Sequence, residues 1–401
     1  MPATGKAMTI APGIHWVGVE DWHRRSFDTL MGLPYGTSYN SYLVVGKEKI
    51  ALIDTVHKNF TEEFLDKIRL IVDPARIDYL VMNHAEPDHG GSLPTMLSLA
   101  PHAKVLATEK GTEMARIFHQ VPAERSVAVS EADTIDLGGK TLKFVSAPWL
   151  HWPETMFTYS VEDGVLFPCD FFAAHVASDL LFADEVGHIV LPEAKVYYAV
   201  IMMPYAKMAA SGLDKAIALE PRTIAPSHGP VWRQSQPILE AYKQWIRGPL
   251  AKKAIVPFAT MWHSTQRLAE AVTGALSAEG IETIPYDLSV TDTSQLAKDL
   301  VDTSAIALGS PTVVGGLHPL ASNAMFMVRM LRPRARIGAY FGSYGWGGGA
   351  AAQAKAALEA IKMEIVDSLD IKGPPLEKDL DRAAALGRNV ARKILDSTNQ
   401  P

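Results

Sequence analysis

A strand-like apolar run, Ile77 to Met82, ends in the stretch Asn83-His84-Ala85-Glu86-Pro87-Asp88-His89. Four metal-capable side chains, His84, Glu86, Asp88 and His89, therefore fall within six positions directly after a strand. A sharp loop there can aim His84, Glu86 and Asp88 at one point and send His89 toward a neighbouring one. A turn or a helix cap accounts for single members of this set, but not for the cluster.

The chain contains one cysteine, Cys169. Disulfides, zinc ribbons and cysteine-ligated iron–sulfur clusters within the chain are thereby excluded, and a reducing cytoplasm is the expected compartment. Any metal must be held by histidine and carboxylate. Three further segments offer such groups in strand-to-loop positions: His151 in PWLHWPET, Asp170 in LFPCDFF and His228 in APSHGP. Taken singly, His228 beside Gly-Pro reads as a turn residue and Asp170 as a cap. Their order behind the dense motif gives them weight. Together the candidates are four imidazoles and three carboxylates. One metal needs about four to six ligands, so the set suggests two metals sharing a bridge, with Asp170 the natural bridging carboxylate. Nitrogen and oxygen donors without thiolate suit iron, manganese or zinc.

The 401 residues suggest two or three domains at roughly 150 residues each. Up to about residue 250 the pattern is αβ with much antiparallel strand. A hairpin is expected over Ser41–Thr55, turning at Gly46–Lys49, and others turn at Gly138-Gly139 and Asp163-Gly164. The stretch TEEFLDKIRLIV has helical apolar spacing, and a helix is expected near Ala194–Ala210. The boundary falls near Arg247–Ala254, giving domains 1–250 and 251–401.

From Ala254 strand and helix alternate with little else. AIVPFA, ETIPYDL, AIALGS, RIGAYFG and EIVDSLDI read as strands separated by helices. That alternation predicts βαβ units in a doubly wound, flavodoxin-like parallel sheet. Ligands of such sheets bind at the carboxyl ends of the strands. After the first strand comes Thr260-Met261-Trp262-His263-Ser264-Thr265, a hydroxyl-rich loop opening a helix. Backbone N–H groups, the helix dipole and the hydroxyls suit a phosphate there. The loop has no lysine, arginine or P-loop pattern, so ATP is not implied. A helix cap by Ser264 or Thr265 is the competing reading. Two more loops stand in register at strand ends: GSPTVVGG, with Ser310-Pro311-Thr312, and GSYGWGGG, with Ser343-Tyr344-Gly345-Trp346-Gly347-Gly348. Their glycines admit a close backbone approach to a flat ring system, which Tyr344 and Trp346 can cover.

The net charge of −6 argues against a nonspecific nucleic-acid surface. No apolar run reaches ~18 residues and the first sixteen lack the apolar core of a secretory signal, so no membrane span or export is expected.

The order of HAEPDH, LHWPET, CDFF and SHGPVW resembles the metallo-β-lactamase fold, whose usual motif is H-x-H-x-D-H followed by a downstream His, Asp and His. Here Glu86 replaces the second histidine. A carboxylate there makes the site harder and more anionic, favouring redox iron over hydrolytic zinc. With the three flavin loops added, essentially the whole chain resembles the flavodiiron proteins, the A-type flavoproteins that include rubredoxin:oxygen oxidoreductases. The resemblance implies an αββα sandwich followed by a flavodoxin-like domain, a non-haem diiron centre and FMN. His84, Glu86 and His151 would hold one iron and Asp88, His89 and His228 the other, with Asp170 between. It implies reduction of dioxygen to water or of nitric oxide to nitrous oxide. It also implies a head-to-tail homodimer or a dimer of dimers, and an external donor such as rubredoxin, a flavin reductase or a deazaflavin cofactor. Two further residues match family positions near the metals: His23, as a proton donor, and Tyr198, lining the pocket. A surface role for His23 and a core role for Tyr197 and Tyr198 are the competing readings. Trp149 is expected to line the pocket, Trp152 to pack, and His175 not to be a ligand. The family's aspartate before the phosphate loop is absent, since Phe258-Ala259 stand there; small changes in redox tuning are expected, not loss of FMN.

Two other functions compete. A dizinc hydrolase on the β-lactamase-like half is opposed by Glu86 and the flavin loops. A nonenzymatic electron carrier with a degenerate metal half is opposed by the complete ligand set.

Overall fold

The structure, a computed structural model, describes residues 7–28 and 31–398. The start of the chain, residues 1–6, on which part of the export reading rests, lies outside the described residues. The chain divides into two compact units, Met1–Ile246 and Arg247–Pro401.

The first unit is built on two sheets. One orders its strands sequentially: β1 (Met8–Ala11), β2 (Ile14–Trp16), β3 (Tyr42–Val45), β4 (Ile50–Ile53), β5 (Tyr79–Val81), β6 (Lys104–Ala107) and β7 (Ser126–Ala128). The expected hairpin is β3–β4, with Tyr42 opposite Ile53 and a turn closed by Gly46 N–H donating to the Lys49 carbonyl at 3.0 Å. From β4 to β7 the neighbours run parallel, which requires crossovers, made through the helices Thr61–Arg69, Leu93–Leu99 and Glu109–His119. Thr61–Arg69 buries Phe64, Leu65 and Ile68 on one stripe and carries Glu62 and Glu63 at its start and Lys67 and Arg69 at its end, in accord with the helix dipole. The second sheet orders β8 (Thr134–Asp136), β9 (Thr141–Ser146), β10 (Met156–Ser160), β11 (Val165–Phe167) and β12 (Thr223–Ile224). Ile14, Val44, Ile53 and Leu106 of the first sheet share one apolar core with Leu142, Phe144 and Phe167 of the second. The result is the sandwich of the metallo-β-lactamase fold.

A left-handed turn at Gly13 (φ 71°) joins β1 to β2. One feature of this unit differs from expectation. The helix expected near Ala194–Ala210 is interrupted: Val190–Tyr197 passes into a π-helical turn, Tyr198–Met202, and a short 3₁₀ turn before Ala206–Ala218. Pro204, in that 3₁₀ turn, has no N–H for an α ladder.

The second unit is a parallel sheet ordered β14 (Glu282–Asp287), β13 (Lys253–Phe258), β15 (Ala305–Val313), β16 (Ile337–Tyr344) and β17 (Glu364–Lys372). Helices Ser264–Ala278 and Glu377–Thr398 pack on one face, where Leu268, Val272, Leu386 and Val390 meet Val256, Ala307 and Phe341. Gly338 points to the other face and lies against Leu358 of helix Ala350–Ala360. Strand order reverses between β13 and β15, and that is where a doubly wound sheet opens a cleft. No helix among the described residues is long and apolar enough to cross a membrane.

Candidate metal centre and flavin cleft

In the second sheet β9, β11 and β12 run in one direction, so the loops that follow them open at the same edge. Those loops carry His151, Asp170 and His228. The loop after β5 carries His84, and Glu86 precedes the short helix Pro87–Gly90, which holds Asp88 and His89. All seven sequence-derived candidates converge in two groups around Asp170. In the first, Nε2 of His84 and of His151 lie 3.1 and 3.0 Å from Glu86 Oε2, and 3.6 and 3.4 Å from Asp170 Oδ2. In the second, Nε2 of His89 and of His228 lie 3.4 and 3.3 Å from the two oxygens of Asp88, and 3.1 and 3.5 Å from Asp170 Oδ1. One oxygen of Asp170 therefore faces each group, as a bridging carboxylate requires.

Surrounding polar groups set these orientations. His84 Nδ1 donates to Glu154 Oε1 at 2.7 Å, and His228 Nδ1 to the Ser38 carbonyl at 2.6 Å, leaving both Nε2 atoms turned inward. Ser227 Oγ donates to Asp170 Oδ1 at 2.6 Å. Both oxygens of Asp88, both ring nitrogens of His89, Asp170 Oδ2 and His228 Nε2 are buried without a hydrogen-bond partner. Buried polar atoms rarely stay unpaired. Apart from His89 Nδ1, these orphans lie together around Asp170, and all are nitrogen or oxygen donors, which fits a pair of metal ions.

The electrostatics agree. Burial opposes charge on Glu86, but hydrogen bonds from His151 and His84 outweigh it and hold the carboxyl below its ordinary range. Burial likewise opposes charge on Asp170, and the imidazoles of His89 and His151 more than offset it. Burial first and the charge of Asp170 second push the Cys169 thiol well above its ordinary range, which suits a small buried filler.

Other candidates stand differently. His23 is exposed in a turn and belongs to neither group. Of the two adjacent tyrosines, it is Tyr197 whose ring lies against the histidines of this region. Tyr197 places its ring 4.9 Å from His175 and 6.0 Å from His228, whereas Tyr198 packs on Tyr242 and Trp245. Adjacent helical residues point about 100° apart, and the π turn moves the phase further. Trp152 packs as expected, its ring edge-on to His84 at 4.9 Å, while Trp149 is exposed and stacks on Tyr205. His175 lies outside both groups, its Nδ1 2.7 Å from Thr37 Oγ1. Glu154 and Ser227 escape a reading of the sequence because neither residue type is unusual in a loop; only their burial marks them.

In the second unit a cavity of about 700 Å³ opens at the ends of β13, β15 and β16. Its wall includes Thr260, Met261, Trp262, Ser264 and Thr265 from the first loop and Pro311 and Thr312 from the second. Val314 and Gly315 continue the second loop, and Ser343, Tyr344, Gly345, Trp346, Gly347 and Gly348 come from the third, joined by Gly373 and Pro374, which sequence reasoning missed. Two expected residues are not in the wall. His263 is exposed at φ 61° with Nδ1 2.9 Å from Gln266 Oε1. Ser310 is fully buried, its hydroxyl donating to the Pro311 carbonyl and accepting from the His318 N–H. Both shape loops. The volume falls within the roughly 300–1,000 Å³ of ligand sites. Thr260 Oγ1 and Thr265 Oγ1 are buried and unpaired at the start of helix Ser264–Ala278, a fit for an anionic group, and among the described residues no lysine or arginine lines the wall. Trp262 and Trp346 stand 84% and 96% exposed at its rim, available to cover a flat ring.

Residues 37–229 match a family model described as ODP family beta lactamase. The chain is 38% identical over 396 residues to the nitric oxide reductase of Moorella thermoacetica, covering 97% of this chain and 99% of that one. It is similar in structure to the rubredoxin oxygen:oxidoreductase of Desulfovibrio gigas, with TM-score 0.95, 28% identity, and 98% and 100% of the two chains covered. The flavodiiron protein of Giardia intestinalis gives TM-score 0.95 and 30% identity, covering 100% of both. The chain belongs to the flavodiiron family of type A flavoproteins. It is an oxidoreductase, and the hydrolase reading is not favoured.

Proposed function

We propose that this oxidoreductase reduces dioxygen to water or nitric oxide to nitrous oxide at two non-haem irons, with FMN relaying electrons from an external donor. The observation that carries the reading is the pair of donor groups sharing Asp170, with orphaned buried nitrogen and oxygen atoms facing their centre. His84, Glu86 and His151 would hold one iron and Asp88, His89 and His228 the other. When bound, a ferrous pair and reduced FMN would supply the four electrons that dioxygen needs, or the two that a pair of nitric oxide molecules needs.

The chain's own residues do the rest. Glu154 and the Ser38 carbonyl hold His84 and His228 in the tautomer that presents Nε2. Ser227 fixes Asp170 between the two groups. Tyr197, buried against His175 and His228, walls the pocket and has a phenol proton to offer. Thr260 and Thr265 would grip the FMN phosphate, and Tyr344, Trp262 and Trp346 would flank the ring. The aspartate missing at Phe258-Ala259 leaves this grip intact.

A head-to-tail homodimer or a dimer of dimers would let the flavin unit of one protomer serve the metal unit of its partner. Cys169 is the lone cysteine and is buried, so the chain has no cysteine-ligated relay of its own. A separate rubredoxin, as in the name of the Desulfovibrio relative, or a flavin reductase would be the donor, in the cytoplasm. Metal and flavin analysis, followed by anaerobic titration with reduced rubredoxin and each gas, tests the reading. About two irons and one FMN per chain with gas-dependent turnover is expected. Zinc without flavin would return the hydrolase, and unchanged gas reduction in Asp170→Ala would favour a carrier whose metal half is degenerate.

A further inference from the structure

His119 ends the helix Glu109–His119 and is not one of the seven candidate ligands, yet its ring is 5% exposed and touches the ligand segment twice. Its Nε2 lies 2.8 Å from the Ala85 carbonyl oxygen. A carbonyl only accepts, so Nε2 carries the hydrogen and donates it. Ala85 stands between His84 and Glu86, and its own N–H donates to Glu154 Oε1 at 2.9 Å. The backbone between the two ligands is therefore held on both sides, by Glu154 at the nitrogen and by His119 at the oxygen.

The second contact is with Gly90, the residue after His89. A Cβ built on Gly90 would fall 2.1 Å from Nε2, 2.4 Å from Cε1 and 2.8 Å from Cδ2 of the His119 ring. Only glycine leaves room for the imidazole there, although the backbone of this helical residue would accept alanine. One ring thus spans from the peptide that carries Glu86 to the end of the turn that carries Asp88 and His89.

We propose that His119 is a positioning residue for the metal centre, clamping the His84–Gly90 segment so that its four donors keep their mutual spacing. This rests on the reading of those four as metal ligands. A residue that only filled space would not need a donor aligned on the Ala85 carbonyl.

The test uses full-length, FMN-containing protein stripped of metal, titrated anaerobically with ferrous ion against a competing chelator, with the melting temperature of the metal-free form recorded. His119→Ala is expected to weaken iron binding about 10–100-fold, the usual effect of removing a group that orients metal ligands. His119→Gln, which keeps an N–H able to reach Ala85, should recover most of it. Gly90→Ala should reproduce the loss by displacing the ring, and should add little when His119 is already alanine. Wild-type affinity in His119→Ala, additive losses in the double variant, or a lowered melting temperature with equal losses in His119→Gln and His119→Ala would each overturn the clamp. If wild type takes up fewer than two irons per chain, the reading of the centre falls and the clamp falls with it. Two irons in wild type with no effect of His119→Ala overturns the clamp alone.

Discussion

Glu154 accepts a hydrogen bond from His84 Nδ1 at 2.7 Å, and the opposite nitrogen of the same ring points at Glu86 from 3.1 Å. Burial opposes charge on Glu154, but its bond with His84 prevails and keeps it a carboxylate. The pair fixes which nitrogen of His84 is free for a metal. Glu154→Ala removes that constraint and is expected to weaken iron binding about 10–100-fold. Glu154→Gln keeps an acceptor oxygen and should lose much less. Equal affinities for both variants and wild type, by chelator competition, would show that the pair does not orient the ligand.

Glu86 sits 3.1 and 3.0 Å from the Nε2 atoms of His84 and His151, where the hydrolytic members of the wider fold carry a histidine. Replacing it by histidine exchanges a hard anionic donor for a neutral borderline one. Glu86→His is therefore expected to raise the zinc-to-iron ratio by roughly tenfold when the apoprotein is offered both metals equally. An unchanged ratio would remove Glu86 as the selector.

The metal-free centre stores protons. Burial disfavours charge on His151, yet its hydrogen bonds with Asp170 and Glu86 push it up to about 10. His89 and His84 are also raised, against burial, by Asp88 and Asp170 in one case and by Glu154 and Glu86 in the other. A folded-state value above the ordinary 6.5 means this stabilisation is complete below pH 6.5 and is lost as pH rises, through about 10 for His151. Iron must displace the same protons, so its affinity should rise over that window. The metal-free melting temperature is expected to fall from pH 6.5 toward 9, while the increment added by ferrous ion grows. A shrinking increment would contradict the assignment.

In the cleft, Thr260 Oγ1 and Thr265 Oγ1 are buried and unpaired, whereas His263 turns outward to Gln266. A hydrogen bond to a charged group contributes about 1.5–3 kcal/mol. Thr260→Val and Thr265→Val should each weaken FMN binding roughly 10–100-fold in a fluorescence titration of the apoprotein. His263→Ala should leave it near wild type. A reversed order would place the phosphate elsewhere.

How much of this was legible in the sequence follows from how local each signal is. His84 to His89 announce themselves because chemistry-bearing residues crowd one strand end, and the strand–helix alternation after Ala254 predicts the flavodoxin-like sheet by period alone. His263 and Ser310 share the residue types of an anion loop, but backbone angle and local hydrogen bonds turn them from the cavity. Glu154 and His119 matter through contacts with residues 70 and 34 positions away, which no local pattern reports.

Tyr197 and Tyr198 are the sharpest case, since both are buried and adjacent. Burial raises Tyr197 well above its ordinary range, and the nearby charges of Asp170 and Asp88 add to it, so its phenol stays protonated beside the carboxylates of the centre. Tyr198 instead sits in an aromatic cluster with Tyr242 and Trp245, their centroids 5.3 and 5.6 Å from its own. If the pocket tyrosine assists gas reduction as a proton donor, Tyr197→Phe should lower turnover by about 100-fold or more, with the melting temperature kept within a few degrees. Tyr198→Phe should leave turnover near wild type and act, if at all, on stability. Steady-state gas consumption and thermal melts on both variants check this. A turnover loss in Tyr198→Phe with none in Tyr197→Phe would restore the residue first expected from the sequence.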